Sequence, residues 1–211
     1  MVTVEADPGL VESRLAVGGI WCPACGGGVL AGWGFARVRR VEGLEGTLRP
    51  RRARCRDCRV THVLLPVTVL ARRSYAAHQV WAAITARAVG AGHRSIAAAL
   101  SVPAATVRGW LRRAGARLEA LRSRFLQVAV VTGVDVVIPD SLGCGWRDLV
   151  AAVEVTAAVV RTRFGSHSVV GAVTALRMVV AVSGGRLLSP GWPTLAHDDS
   201  ATPVAPDGGT V

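Results

Sequence analysis

The sequence predicts a mainly α chain that opens with a small, metal-held β module. Three observations carry this expectation. Two cysteine pairs, Cys22/Cys25 and Cys55/Cys58, bracket a stretch with the alternation of a β-hairpin. Residues 74–126 place apolar side chains at helical spacing on either side of a short break. Two more apolar helical stretches, within 128–189, read as a helical hairpin, and 190–211 reads as a disordered tail.

The cysteine pairs are the most specific signal. A Cys-x-x-Cys turn aims two sulfurs at one centre, and two such turns complete the four-thiolate tetrahedron that zinc prefers. Gly26, Gly27 and Gly28 can close the first turn, whereas Arg59 follows the second pair, where glycine would be more usual. The 29 residues between the pairs read as a hairpin: "GWGFARVRRV" runs out, "EGLEG" turns and "TLRPRRAR" returns. This is the layout of a zinc ribbon over residues 1–70, with a structural Zn2+ on Cys22, Cys25, Cys55 and Cys58. Four thiolates leave no position open for water, so a catalytic zinc is not expected. A thioredoxin-like site needs its CxxC at a helix start in a βαβ frame, and structural disulfides suit an exported protein; neither context is read here. His62 is expected as a strand residue rather than a ligand, and Cys144 as a small hydrophobe.

The next segment, "SYAAHQVWAAITARAVG", predicts a helix capped by Ser74, facing inward with Val80, Trp81, Ile84 and Ala88 and ending at Gly90. In "HRSIAAALSVPAATVRGWLRR", Ile96, Ala97 and Leu100 make the inner face of a short helix. Ser101 and Val102 turn the chain, and Pro103 opens a second helix facing inward with Val107, Trp110 and Leu111. A small residue at the crossing (Ala97), a hydrophobe in the turn (Val102) and a β-branched residue behind it (Val107) match a DNA-binding helix-turn-helix over 74–126. An ordinary helical hairpin is the competing reading.

In the DNA-binding geometry the second helix enters the major groove. Arg108, Arg112 and Thr106 then meet base edges or phosphates, with Arg108 ranked first. His93 and Arg94 touch backbone phosphate, and Arg113 either joins them or solvates the helix. Arg51, Arg52 and Arg54, beside the second cysteine pair, offset thiolate charge, and those left over face the same polyanion. Val107, Leu111, Ala114, Leu118, Leu121 and Phe125 form a heptad seam that either packs within the chain or pairs two copies on a palindromic site.

Charge supports a nucleic-acid partner. Every basic residue apart from histidine is arginine, in keeping with a GC-rich coding bias. Arg37–Arg124 holds 19 of the 25 arginines and only Glu42, Glu45, Asp57 and Glu119, a net +15, and the remainder carries −4. Arginines scattered over solvated faces would give the same totals, so the distribution alone leaves both readings open. The start, "MVTVEADPGLVESRL", has three acids and no apolar run of a secretory signal. The most hydrophobic stretch, "SVVGAVTALRMVVAVSGG", is broken by Arg177 and falls short of the ~20 apolar residues of a membrane span. No membrane association is expected, and the location expected is cytoplasmic, at the nucleoid.

The order "CPACGGG…RRARCRDCRVTHVLLP…GAGHRSIAAALSVPAATVRGWLRR", then "SGGRLLSP", resembles a helix-turn-helix family of high-GC bacteria, a domain of unknown function often associated with mobile elements. Residues 20–125 are also similar to the zinc-ribbon plus helix-turn-helix end of insertion-sequence transposases. The resemblance implies zinc and duplex DNA binding and assigns no activity. Asp135, Asp140, Asp148 and Glu154 lie in a segment too short for an RNase H-like domain, so no enzyme is expected. The expected function is a regulator or transposon-associated DNA-binding protein. A protein–protein adaptor or accessory subunit of a transposase is the alternative, and an active transposase a more distant one.

Overall fold

A computed structural model describes residues 1–168 and 171–193, Ser168 by its backbone alone. The chain begins with β1 (Val2–Val4) and α1 (Pro8–Ala16), followed by β2 (Leu30–Phe35), β3 (Arg39–Arg40), β4 (Thr47–Leu48), β5 (Arg51–Cys55) and β6 (Thr61–Pro66). Four strands form one sheet in the order β1-β6-β5-β2, with β1 parallel to β6 and the other pairs antiparallel. The expected hairpin is present: Leu30 lies opposite Cys55, and Arg39 opposite Leu48 in the β3–β4 extension.

Alternation along the strands gives this sheet two different faces. Leu30, Ala53, Cys55 and Leu64 point to a small core closed by Val4, Ile20 and the Val11 and Leu15 side chains of α1. Asp7 caps α1 by accepting a hydrogen bond from the Gly9 amide (2.7 Å), with Pro8 in the first helical position. Glu5 is buried beneath it and pairs with Arg14 at 2.8 Å. On the opposite face, Ala31, Trp33, Arg52, Arg54, Thr61 and Val63 are all exposed or half-buried.

The helical part comprises α2 (Ala77–Ala88), α3 (His93–Leu100), α4 (Ala104–Gly115), α5 (Leu118–Thr132), α6 (Gly145–Phe164) and α7 (Ala175–Ser183). A two-residue hairpin, β7 (His167–Ser168) with β8 (Gly171–Ala172), separates α6 from α7. One apolar core runs through it, from Val80 and Ile84 of α2 through Val107 and Trp110 of α4 and Phe125 of α5 to Leu149 and Val153 of α6. Burial of these side chains in a common core, more than helix propensity, is what holds six short to medium helices in place.

Several expectations change at the level of single elements. Ser74 does not cap α2: Tyr75 and Ala76 are first drawn into bridges with Glu42 and Val69, and the helix starts three residues later. Pro103 opens α4 from the N-cap, one position before its first helical residue, and accepts from the Thr106 (2.9 Å) and Val107 (3.2 Å) amides. The heptad seam is not one helix, because the chain leaves helical geometry at Arg117 (φ −144°). The Arg117 guanidinium donates to the carbonyls of Ser189, Leu187 and Trp192, so the break coincides with a clamp on the returning chain. Val107, Leu111, Ala114, Leu121 and Phe125 are buried in the chain's own core and Leu118 packs against it half-buried, so these side chains pack within the chain.

The expected boundary at 126–128 falls inside α5, which packs along α6. Thr156 of α6 joins the two helices, with its hydroxyl 2.9 Å from the Phe125 carbonyl and 2.7 Å from that of Ala152. Trp192 is buried edge-on against Phe125, with centroids 6.5 Å apart, so this residue of the expected tail belongs to the core, while Pro190 and Gly191 are exposed. The rest of the expected tail, 194–211, lies outside the described residues. No helix among the described residues is long and apolar enough to cross a membrane.

Candidate metal centre and nucleic-acid interface

Cys22 follows Trp21, which bridges to Val29, and Cys55 ends β5. Their turns carry Cys25 and Cys58 back over them: the Cys22 amide donates to the Gly28 carbonyl (2.7 Å) and the Cys55 amide to that of Val60 (2.9 Å). All four sulfurs consequently lie within 4.8 Å of one another. Cys22 and Cys58 are 3.6 Å apart and Cys25 and Cys55 3.8 Å, with every thiol free. Four sulfurs each about 2.3 Å from a tetrahedral ion would stand about 3.8 Å apart, which the Cys22–Cys58 and Cys25–Cys55 separations match.

Gly28 is where the packing tolerates no side chain. A Cβ there would run into the Cys55 sulfur and stand 2.8 Å from an Asp57 carboxylate oxygen and 3.1 Å from the Cys25 sulfur. Ionisation of the cluster also calls for a cation. The Gly28 amide holds the Cys25 thiol down at about 7. The Val60 amide draws Cys58 the same way, yet desolvation and the three neighbouring sulfurs outweigh it and push that thiol up to about 12. One thiolate forms readily, and the last forms at neutral pH only with positive charge in the centre.

His62 lies in β6, as expected of a strand residue, but it also touches the cluster. It is buried, with Nε2 3.4 Å from the Cys22 sulfur and Nδ1 3.1 Å from the N-terminal nitrogen of Met1. Burial and the nearby ammonium push its pKa down, which favours a neutral ring able to donate one N–H to sulfur. Its position four residues after Cys58 was the one sequence sign of this contact.

The residues expected to touch nucleic acid divide into groups. Thr106, Arg112 and Arg113 of α4 line a cleft of about 420 Å3 with Arg72, Arg73 and Tyr75. Arg108 is exposed on the same helix but does not line it, and Arg94 is exposed and His93 half-buried at the start of α3. A second cleft of about 560 Å3 shares Arg72, Arg73 and Arg113 and adds Met1, Arg186 and Ser189. Arg51, Arg52 and Arg54 line neither cleft. Arg51 instead pairs with Glu12 at 2.6 Å, on the α1 side of the sheet.

Nothing local in the sequence marks Arg72, Arg73 or Arg186 for these clefts, since 38 residues lie between Arg73 and Arg112. Among the described residues, no ion pair involves Arg72, Arg73, Arg112, Arg113 or Arg186. Arg73 donates to the Leu188 carbonyl (2.7 Å), while its buried Nε has no partner. Desolvation, together with the charges of Arg113 and Arg117, pulls the pKa of Arg73 down. Among the described residues, this corner of the molecule therefore concentrates positive charge that no carboxylate pairs with.

The four carboxylates considered for metal chemistry do not gather. Asp135, Asp140 and Glu154 are exposed. Asp148 accepts from the Leu142 amide (2.7 Å) and the Ser141 hydroxyl (2.9 Å), which hold its pKa below the usual carboxylate range. Among the described residues the four cysteines are the one group arranged to hold a metal ion.

No protein-family model matches the chain, and no curated protein or solved structure matches it.

Proposed function

We propose that the chain binds duplex DNA through the exposed face of α4 and the arginine-lined clefts beside it, with a structural zinc ion holding the N-terminal sheet. The observation that carries this reading is the set Arg72, Arg73, Arg112 and Arg113 around one cleft, none of them in an ion pair among the described residues. Cations held together without carboxylates repel one another, and a row of phosphates is the partner that relieves this. The junction of α3 and α4 supports a helix-turn-helix reading. Ser101 takes the left-handed conformation (φ 53°) between α3 and α4, Val102 is buried in the turn, and Ala97 and Val107 are buried at the crossing. In this assignment Arg108 reads base edges, while Arg112, Arg113, Arg72 and Arg73 grip the backbone. Zinc is favoured by a closed four-thiolate set, which is a folding element and leaves no position for a reacting water. A regulator or a transposon-associated factor would use such a reader.

Titration of labelled duplex at several salt concentrations tests the proposal. Affinity should fall steeply with salt, and Arg112→Ala or Arg72→Ala should each weaken binding while lowering the salt slope by about 1. Binding that is insensitive to salt and to both substitutions would contradict it.

A second reading, a protein–protein adaptor, has its own observation. Val131, Val134 and Val137 are largely exposed, and Val134 and Val137 line a cleft of about 510 Å3 with Val155 and Val159 of α6. Apolar surface of this kind commonly marks a docking site. That reading predicts no duplex binding above a weak background at near-physiological salt.

A further inference from the structure

The N-terminal sheet carries a second surface that the α4 reading does not use. Trp21 and Trp33 are 64% and 52% exposed, although tryptophan ordinarily buries most of its ring. Both belong to the sheet face that α1 leaves uncovered. Trp21 bridges to Val29 while its neighbours Ile20 and Cys22 point into the core, which turns its ring outward. Trp33 follows Gly32 on β2, and the Arg54 guanidinium lies over its ring at 4.8 Å. Arg54 alternates outward from buried Ala53 and Cys55, and Arg52 takes the same face one step along. Arg54 Nε donates to the Arg59 carbonyl (3.0 Å), so its guanidinium is held in place over Trp33. From Val29 to Trp33 the strand advances about 13 Å, so the two indoles stand apart along one open face with arginines between and beside them.

We infer that this face binds single-stranded nucleic acid by stacking unpaired bases on Trp33 and Trp21. A duplex offers phosphates and base edges but keeps its base faces covered, so exposed indoles gain little from it. An unpaired strand offers both of the things this surface fits: flat apolar faces for the rings and phosphates for Arg52, Arg54 and Arg56. Of these arginines, none is in an ion pair among the described residues, so the face has charge to give. Asp57 is the acid nearby, and it lies at the cysteine end, close to Gly28. The inference stands apart from the duplex reading of α4. If both hold, the chain would engage a junction at which paired strands open.

The test uses the full chain with its metal, a 12-nucleotide oligothymidylate, an oligouridylate of the same length, and a random-sequence duplex. The oligonucleotides should bind saturably and quench tryptophan fluorescence. Trp33→Ala and Trp21→Ala should each weaken that binding about tenfold and leave duplex binding unchanged. Trp33→Phe should keep affinity within about threefold, since a ring remains, and retained metal and far-ultraviolet dichroism show that each variant is folded. Arg112→Ala should give the reverse pattern. Preference for one oligonucleotide assigns the strand as DNA or RNA. Oligonucleotide binding that is undetectable, or equal in wild type, Trp21→Ala and Trp33→Ala, would overturn the inference and leave this face to a protein partner.

Discussion

Gly26 and Arg59 hold the same place in the two cysteine turns: each directly follows its CxxC pair, and each is left-handed, with φ +72° and +62°. That conformation turns the chain back after the second cysteine, so that the Gly28 and Val60 carbonyls accept from the Cys22 and Cys55 amides. Glycine adopts it freely, whereas a residue with a Cβ loses about 1 kcal/mol or more. Arg59→Gly should therefore raise the stability of the N-terminal sheet by up to about 1 kcal/mol without changing metal content. Arg59→Val should lower it, since β-branched residues suffer most at positive φ. Urea unfolding of the metal-loaded variants checks both signs.

Metal content follows from the sulfur geometry. Cys22→Ser and Cys55→Ser should each lose the bound metal, measured by elemental analysis, and loosen β2, β5 and β6. Cys144→Ser should retain it, because Cys144 lies outside the four-sulfur group. Gly28→Ala should act like the ligand substitutions, since its methyl would displace the Cys55 sulfur. The pH dependence has a fixed sign: only thiolates bind the ion, so falling pH returns protons to sulfur and weakens binding. In the metal-free chain the lowered Cys25 value favours the thiolate in the fold. That contribution is complete above the ordinary thiol value of 9.0 and is lost as pH falls through about 7.

Arg14 and Glu5 give a test of the small core independent of metal. The Glu5 side chain is 4% exposed and, among the described residues, Arg14 at 2.8 Å is its one ion-pair partner. Arg14→Ala strands a buried carboxylate and should cost about 3 kcal/mol. Glu5→Gln, which removes the charge and keeps the shape, should cost less. Equilibrium unfolding at neutral pH distinguishes the two.

Thr156 tests the contact between α5 and α6. Thr156→Val keeps the volume and removes the hydroxyl that reaches the Phe125 and Ala152 carbonyls. A loss of about 1 kcal/mol is expected by thermal or urea unfolding, with α5 the first segment to gain hydrogen exchange.

The cysteine spacing made the sulfur cluster and its hairpin legible, because both are local: each CxxC folds on itself, and the alternating run between them must return to close the set. The faces of α2, α3 and α4 were legible for the same reason, as Ala97, Val102 and Val107 are fixed by spacing alone. What was hidden depends on distance along the chain. Nothing near Arg72 or Arg186 shows that they share a cleft with Arg113. Nor does the Pro- and Gly-containing stretch around Trp192 show periodicity, although its indole is buried against Phe125. The break before α5 was hidden too: the seam keeps heptad spacing through Arg117, and only the returning chain, whose carbonyls Arg117 grips, reveals why the helix stops there.

The most direct test of duplex reading is selection of random-sequence duplex DNA by the purified, metal-loaded chain at near-physiological salt, followed by sequencing. The account predicts an enriched motif, relaxed at one base position by Arg108→Ala and weakened without loss of sequence preference by Arg112→Ala. Recovery of DNA with no enriched sequence, unchanged by either substitution, would contradict it.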